Sequence, residues 1–297
     1  MPTKTLVLYS GGLDSRLAIE ILRQQNLQIT AIQFILPFGC NACQNIPDPQ
    51  NIKIVKIDIT KNPLLSEYLE MLKNPQHGTG SGVNPCKDCK LFMLNKAHEY
   101  ANQNNIPIIA TGEVLGQRPM SQTSPNLKII NENSPREILR PLSAKALPPT
   151  SYETSNLVSR DKLYAITGRG RKEQIKLAQK FDIPYPTPGG GCVLCEKNQI
   201  KKLNYLIKNN LITEKTHPLT TIGRHFCIDN SWLVVARNET ECDLINKYDS
   251  SHIPDEKGSP SVYFQNPKLK QTAIQLQTAY STGTTTEQRN KFKQFKL

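Results

Sequence analysis

The sequence predicts an α/β fold, a mainly parallel sheet flanked by helices, on three observations. Through the first 110 residues, apolar runs of strand length alternate with amphipathic runs of helix length, the pattern of parallel strands joined by crossover helices. The first apolar run, Leu6 to Tyr9, leads straight into Ser10-Gly11-Gly12-Leu13-Asp14-Ser15 and then into an amphipathic stretch. A later run, "IPIIATGE", also ends in a turn, at Thr111–Glu113. Ligands on such sheets sit beyond the C-terminal ends of the strands, so both turns are expected to line one crevice.

Taken in order, "TLVLY" reads as a buried strand and Leu13–Gln25 as a helix with Leu13, Leu17 and Ile21 at helical spacing. "ITAIQFIL" and "IKIVKIDI" read as the second and third strands. A helix is expected near Leu64–Lys73, then the loop "NPQHGTGSGVNP", too rich in glycine for regular structure. A long amphipathic helix follows over Cys86–Asn104, and "IPIIATGE" closes the first expected domain, residues 1–125. Residues 126–210 form a basic connector: "EILRPLSAKALPPTSYE" is punctuated by proline, "GRGRKEQIKLAQKF" is a basic helix opened by glycines, and "IPYPTPGGGCVLC" is a rigid loop. After a further basic helix near 196–209, residues 211–297 read as short strands with turns, a small appended α+β module.

At 297 residues the chain has room for two domains and a sizeable core. Its hydrophobic content is 37% and its mean hydropathy −0.46. No apolar run approaches the roughly 20 residues of a bilayer span, which excludes a membrane-embedded class. Met1-Pro2-Thr3-Lys4 leads into a strand without a signal-peptide apolar stretch, so a cytoplasmic protein with no membrane partner is expected. Residues 111–210 carry 16 Lys and Arg against 8 Asp and Glu, +8 of the net +12. A basic segment beside an anion site points to a polyanionic partner such as nucleic acid; a solvated basic surface is the plainer alternative.

Six of the eight cysteines form C-x-x-C pairs: Cys40/Cys43, Cys86/Cys89 and Cys192/Cys195. Such pairs in an expected cytoplasmic chain do not read as a disulfide framework. Cys86 and Cys89 open a helix, where the dipole favours thiolate. Two pairs together are also the signature of a zinc site with four cysteine ligands. Cys40/Cys43 are surface-loop thiols or half of a second metal site, and Cys227 and Cys242 read as structural.

The Ser10–Ser15 turn places backbone N–H groups and a helix N-terminus around one point, an anion site. It lacks the lysine of a phosphate-gripping Walker loop. Asp14 would repel phosphate unless a cation intervenes, so Mg2+ is expected there. The alternative is an ordinary Gly-rich turn with an Asp-Ser helix cap.

This hexapeptide resembles the PP-loop of the N-type ATP pyrophosphatases, which cleave ATP to AMP and pyrophosphate and use the adenylate to activate a carbonyl oxygen. "VNPCKDCK" resembles a segment of tRNA 2-thiouridylases; "TGEVLGQRPMSQT" and "RPLSAK" resemble successive segments of tRNA 4-thiouridine synthetases. The likeness covers roughly residues 5–200 and implies an adenine-nucleotide-hydrolase-like domain that thiolates tRNA uridine, with 4-thiouridine slightly favoured over 2-thiouridine. It implies that Ser10, Gly11, Gly12, Asp14 and Ser15 bind ATP with Mg2+, and that Thr111, Gly112, Glu113, Gly116 and Gln117 border the nucleotide and uridine.

It further implies that Cys86, Cys89 and Cys192 hold a [4Fe–4S] cluster, with Cys195 as an alternative ligand and zinc or metal-free persulfide chemistry as alternatives to the cluster. Asp14, Cys86 and Cys192 are then expected to carry the reaction. Arg118, Arg169, Arg171 and Lys172 are candidate RNA contacts; solvated positions are the alternative. Asp58 is a candidate neighbour of the nucleotide, and His225 reads as a packed histidine. The chain departs from the 4-thiouridine synthetases in showing no THUMP-type tRNA-binding module ahead of the loop and no rhodanese domain behind. Its tail, "IGRHFCIDNSWLVVARNETEC", resembles the NFACT-R RNA-binding module. Expected partners are tRNA and a sulfur donor, either inorganic sulfide or a cysteine desulfurase. The rivals are a PP-loop enzyme using ammonia or an amine, and a non-enzymatic, zinc-stapled RNA-binding protein.

Overall fold

Four strands, β1 (Lys4–Leu8), β2 (Gln28–Ile35), β3 (Lys53–Asp58) and β4 (Ile108–Thr111), form a parallel sheet in the order β3-β2-β1-β4. The computed structural model describes residues 2–39, 52–187, 192–248 and 251–297. Cys40, Cys43 and the glycine triplet before Cys192 lie outside the described residues. In the sheet, Leu6 pairs with Thr30 on one side and Ile109 on the other, so β1 is central.

Alternation along the strands builds a core on each face. Val7, Tyr9, Ala31, Ile108 and Ala110 pack with Leu17 and Leu22 of helix α1 (Leu13–Arg23). Leu6, Leu8, Ile32 and Ile109 face the other way, against Leu91, Leu94 and Ala97 of α3 (Cys86–Gln103). The shorter α2 (Leu64–Lys73) lies between β3 and α3 in the chain, at the place the sequence predicts. Beyond β4 come α4 (Ser124–Asn133), the single turn α5 (Ser151–Thr154) and α6 (Lys172–Lys180). Each fully buried leucine on these faces contributes about 1.5–3 kcal/mol.

Residues 138–140 extend the sheet past β4. Thr111 N donates to Leu139 O and Leu139 N to Ile109 O, each at 2.9 Å. This pairing brings Arg140 beside the exit of β4.

The chain divides into two compact units, 1–195 and 196–297. The second holds α7 (Ile200–Lys208), β5 (Arg224–Ile228), β6 (Ser231–Val235), α8 (Glu239–Ile245), β7 (His252–Ile253), β8 (Val262–Phe264), α9 (Lys270–Tyr280) and α10 (Thr286–Asn290). Its antiparallel sheet runs β5-β6-β8-β7, and Phe226, Leu233, Val262 and Phe264 pack on Ala273 and Leu276 of α9. His225 is a packed histidine: Trp232 Nε1 donates to its Nδ1 at 3.0 Å, and burial, then the Lys202 charge, pushes its pKa down to about 3. Cys227 donates to Tyr205 Oη at 2.8 Å, and the buried Cys242 Sγ accepts from Ser261 N. Among the described residues no helix is long and apolar enough to cross a membrane.

Candidate active site

At the exit of β1 the chain turns through Gly11 at φ +78° and enters α1 from an extended Gly12. The Ser15 hydroxyl donates to Gly12 O at 2.9 Å and accepts from Ser10 N at 3.3 Å and Ser10 Oγ at 3.4 Å. Arg16, 1% exposed, donates from Nε to Gly11 O at 2.8 Å and fixes the turn from below. Gly112 presses on the same turn: a Cβ there would lie 2.6 Å from the Asp14 carbonyl and from Ser15 N. Only glycine permits the exits of β1 and β4 to approach this closely.

Gln117 Nε2 donates to Asp14 Oδ2 at 2.8 Å, and the buried Gln174 on α6 donates to Gln117 Oε1 at 3.2 Å. Gly116, at φ +79°, makes the turn before Gln117, and Gly168 N donates to Leu115 O at 2.7 Å, which carries the start of α6 to the site. Burial raises the Asp14 carboxyl above the ordinary carboxylate range, and Gln117, Arg171 and Arg118 oppose that rise. Asp14 Oδ1 is buried with no hydrogen-bond partner. A hard cation suits such an oxygen, so the residues fit the expected Mg2+.

Glu113 is buried between two cations. Its Oε2 accepts from Arg140 Nε at 3.1 Å and Thr111 Oγ1 at 3.0 Å, and Lys90 Nζ stands 3.5 Å from Oε1. Burial alone would raise its pKa; the charges of Lys90 and Arg140 outweigh burial and hold it below the ordinary value.

The thiols enter from two segments. Cys86 is the first residue of α3, its Sγ accepting from Asn84 Nδ2 at 3.1 Å, and Cys89 Sγ lies 3.5 Å from Tyr68 Oη. Cys192 donates to Phe38 O at 3.5 Å. Val83 N donates to Leu194 O at 2.9 Å, joining the two thiol-bearing segments. Burial raises the Cys89 thiol and pushes Cys192 up to about 12, and each thiol feels the charge of the other cysteines. At Cys89 burial works against the thiolate that a helix N-terminus favours. Burial also raises Cys195, the exposed member of the four, and Cys86 adds to the rise. The soft thiol set suits iron–sulfur or zinc chemistry. Yet among the described residues no group of three or more His, Cys, Asp or Glu side chains is arranged to hold a metal ion.

One cavity of about 340 Å³ joins these parts. Ser10, Asp14, Ser15, Thr111, Gly112 and Glu113 line it, as do Cys86, Cys89 and Cys192. Arg118 borders it from an exposed turn. Arg171 faces Asp14 electrostatically, whereas Arg169 and Lys172 are exposed near the start of α6. Asp58 caps its own turn, accepting from Thr60 N and Oγ1 at 2.9 and 2.6 Å. Sequence reasoning missed Arg16, Asn84, Lys90, Arg140 and Gln174. Lys90, next to Cys89 on the helix, was the most readable of them.

A parallel sheet whose first strand runs into a Ser-Gly-Gly-x-Asp-Ser cradle, with the exit of β4 pressed against it, defines a PP-loop domain. Residues 2–146 match the family model described as thiamine biosynthesis protein (ThiI). A probable tRNA sulfurtransferase of Finegoldia magna is 30% identical over 169 residues, 52% of this chain and 42% of that protein. One of Mycoplasmopsis agalactiae is 27% identical over 215 residues, 72% of this chain and 55% of that protein. The chain spans about half the length of these curated relatives. A 4-thiouridine synthetase–RNA complex with bound ATP is 17% identical, covering 72% of this chain and 53% of that one, at a TM-score of 0.38, too low to bear on function.

Proposed function

We propose that the chain uses ATP to adenylate a uridine carbonyl oxygen in tRNA and then places sulfur at the activated carbon. The observation that carries this reading is the single cavity lined by both the Ser10–Ser15 cradle and the thiols Cys86, Cys89 and Cys192. The carbonyl oxygen attacks the α-phosphorus of ATP and pyrophosphate leaves. The sulfur of a hydrosulfide then bonds to the carbon, AMP departs with the oxygen, and the sulfur's proton goes to solvent. The sulfide is free in solution, or is released from the persulfide of a cysteine desulfurase by a second thiol, the two thiol sulfurs ending as a disulfide that an external thiol reductant reopens. The names of the sulfurtransferase relatives support the same class.

The residues divide by chemistry. Ser10, Gly11, Gly12 and Ser15 present hydrogen-bond donors to phosphate, and Asp14 holds Mg2+. Thr111, Gly112, Glu113, Gly116 and Gln117 border the nucleotide and the base, with Arg140 and Lys90 setting the charge of Glu113. Cys86, Cys89 and Cys192 are the residues that would hold an iron–sulfur cluster, with Cys195 or zinc as the alternatives; such a cluster would supply a place to carry sulfide. Arg118, Arg169, Arg171 and Lys172 contact the tRNA backbone. The second unit adds RNA contacts, for which Arg224 and Arg289, lying 5.3 and 5.8 Å from the Tyr280 ring, are the candidate cations.

Mass spectrometry of nucleosides from bulk tRNA, with and without this protein in the parent strain, tests the reading. Loss of 4-thiouridine or of a 2-thiouridine derivative supports thiolation and names the ring position. Unchanged thiolated nucleosides, together with ATP cleavage driven by an amine, would overturn it.

A further inference from the structure

A second cavity, of about 310 Å³, lies within the first unit and has no part in the reaction above. Its size is at the small end of ligand pockets, which run about 300–1,000 Å³. Its walls are apolar at Ile138, Ala144 and Leu147, and acidic at Glu132, Glu137 and Glu153. Arg140 also lines it. That side chain is 3% exposed and divides its nitrogens: Nε donates to Glu113, Nη1 to Asn131 Oδ1 at 2.9 Å, and Nη2 is buried with no hydrogen-bond partner. An unmade hydrogen bond on a buried guanidinium is costly, and an occupant of the cavity is placed to make it.

The acidic wall selects the occupant. Glu153 is committed on both oxygens, to Thr150 and to Arg160. Glu137 uses Oε2 for Ser151 N and Oγ, which leaves Oε1 available. Glu153 is paired with Arg160 and Glu132 with Lys128, so a bare anion meets the open carboxylate oxygen of Glu137, which repels it, and a bare cation meets Arg140. A carboxylate and an ammonium held one carbon apart satisfy both.

We infer that this cavity binds a small zwitterion of the free α-amino acid type, its carboxylate on Arg140 Nη2 and its ammonium toward Glu137. The ligand would share one guanidinium with Glu113 and so couple to the first cavity, a linkage that rests on the nucleotide reading above. By reciprocity, the occupant and the nucleotide change each other's affinity by the same factor.

Calorimetry on the nucleotide-free full chain with short free L-amino acids, glycine to cysteine, tests the site. Saturable binding of at least one is expected, absent for its N-acetyl and amide forms and weakened about tenfold in Glu137→Gln. Glu137 lies outside the proposed reaction machinery, and retained melting temperature shows that the variant folds. No saturable binding at about 10 mM of any of them, or equal binding by the blocked forms, overturns the proposal. A chain that binds an amino acid but no ATP leaves this site standing and overturns the proposed function instead. With both bound, an ATP affinity indifferent to the amino acid removes the linkage.

Discussion

Gly112 and Asp14 are in closest possible approach: the space a Cβ of Gly112 would occupy lies 2.6 Å from the Asp14 carbonyl. The exits of β1 and β4 are thus held together by an absence of side chain. Gly112→Ala has to push backbone against backbone, which costs about 1–3 kcal/mol. The expected outcome is a lower melting temperature and a loss of ATP affinity together, read by thermal denaturation and equilibrium binding. Wild-type values for both would contradict the packing described.

Burial makes ionised Asp14 costly to the fold. Burial raises its carboxyl above the ordinary 3.8. The folded chain then holds that proton more tightly than the unfolded chain, so the cost of ionisation is absent below 3.8 and fully present above the raised value. Asp14→Asn removes that cost at neutral pH while still accepting from Gln117. Its melting temperature is expected to rise by about 2 °C, with Mg2+-dependent ATP cleavage lost.

Glu113 has the opposite sign. Despite burial, Lys90 and Arg140 hold its pKa below the ordinary 4.5. The stability it contributes is present above that value and is lost as pH falls through the lower folded one. Glu113→Gln should therefore flatten the acid limb of a melting-temperature profile below pH 4.5. At neutral pH it should destabilise by about 3 kcal/mol, because Arg140 is left as a buried, uncompensated charge. An unchanged acid limb would assign the acid sensitivity elsewhere.

In the proposed reaction the cysteines would separate the two half-reactions. Serine at Cys86, Cys89 or Cys192 is expected to abolish sulfur incorporation while pyrophosphate release with tRNA continues. Cys195→Ser is expected to keep both, since Cys195 is the exposed member of the four and absent from the cavity lining. Loss of thiolation in Cys195→Ser would make it a ligand or a sulfur carrier.

Local patterns made much of this legible. Strand-length apolar runs and the helix opening at Cys86 required only periodicity and spacing, and the Ser10–Ser15 cradle is contiguous in the chain. Arg140 was hidden because its place depends on a backbone pairing at Leu139 that no period announces. Gln174 sits in "KEQIKLAQK", where a lone polar residue among charges reads as solvent-facing, yet it is fully buried against Gln117. At Cys89 the sequence shows only part of the balance: position on a helix sets the dipole, but tertiary packing sets desolvation.

The bond from Val83 N to Leu194 O, with Gly82 so tight that a Cβ would collide with the same carbonyl, bears on synthesis. Phe38 is joined to the same short turn through Val193 N. As the chain leaves the ribosome, the cradle, the sheet and Cys86 all emerge well before the residues that bond to Val83. A nascent chain stalled short of residue 192 would carry an assembled phosphate cradle beside half of its thiols, open to solvent. Cys86 and Cys89 therefore have a window during translation in which the segment that bonds to Val83 does not yet exist.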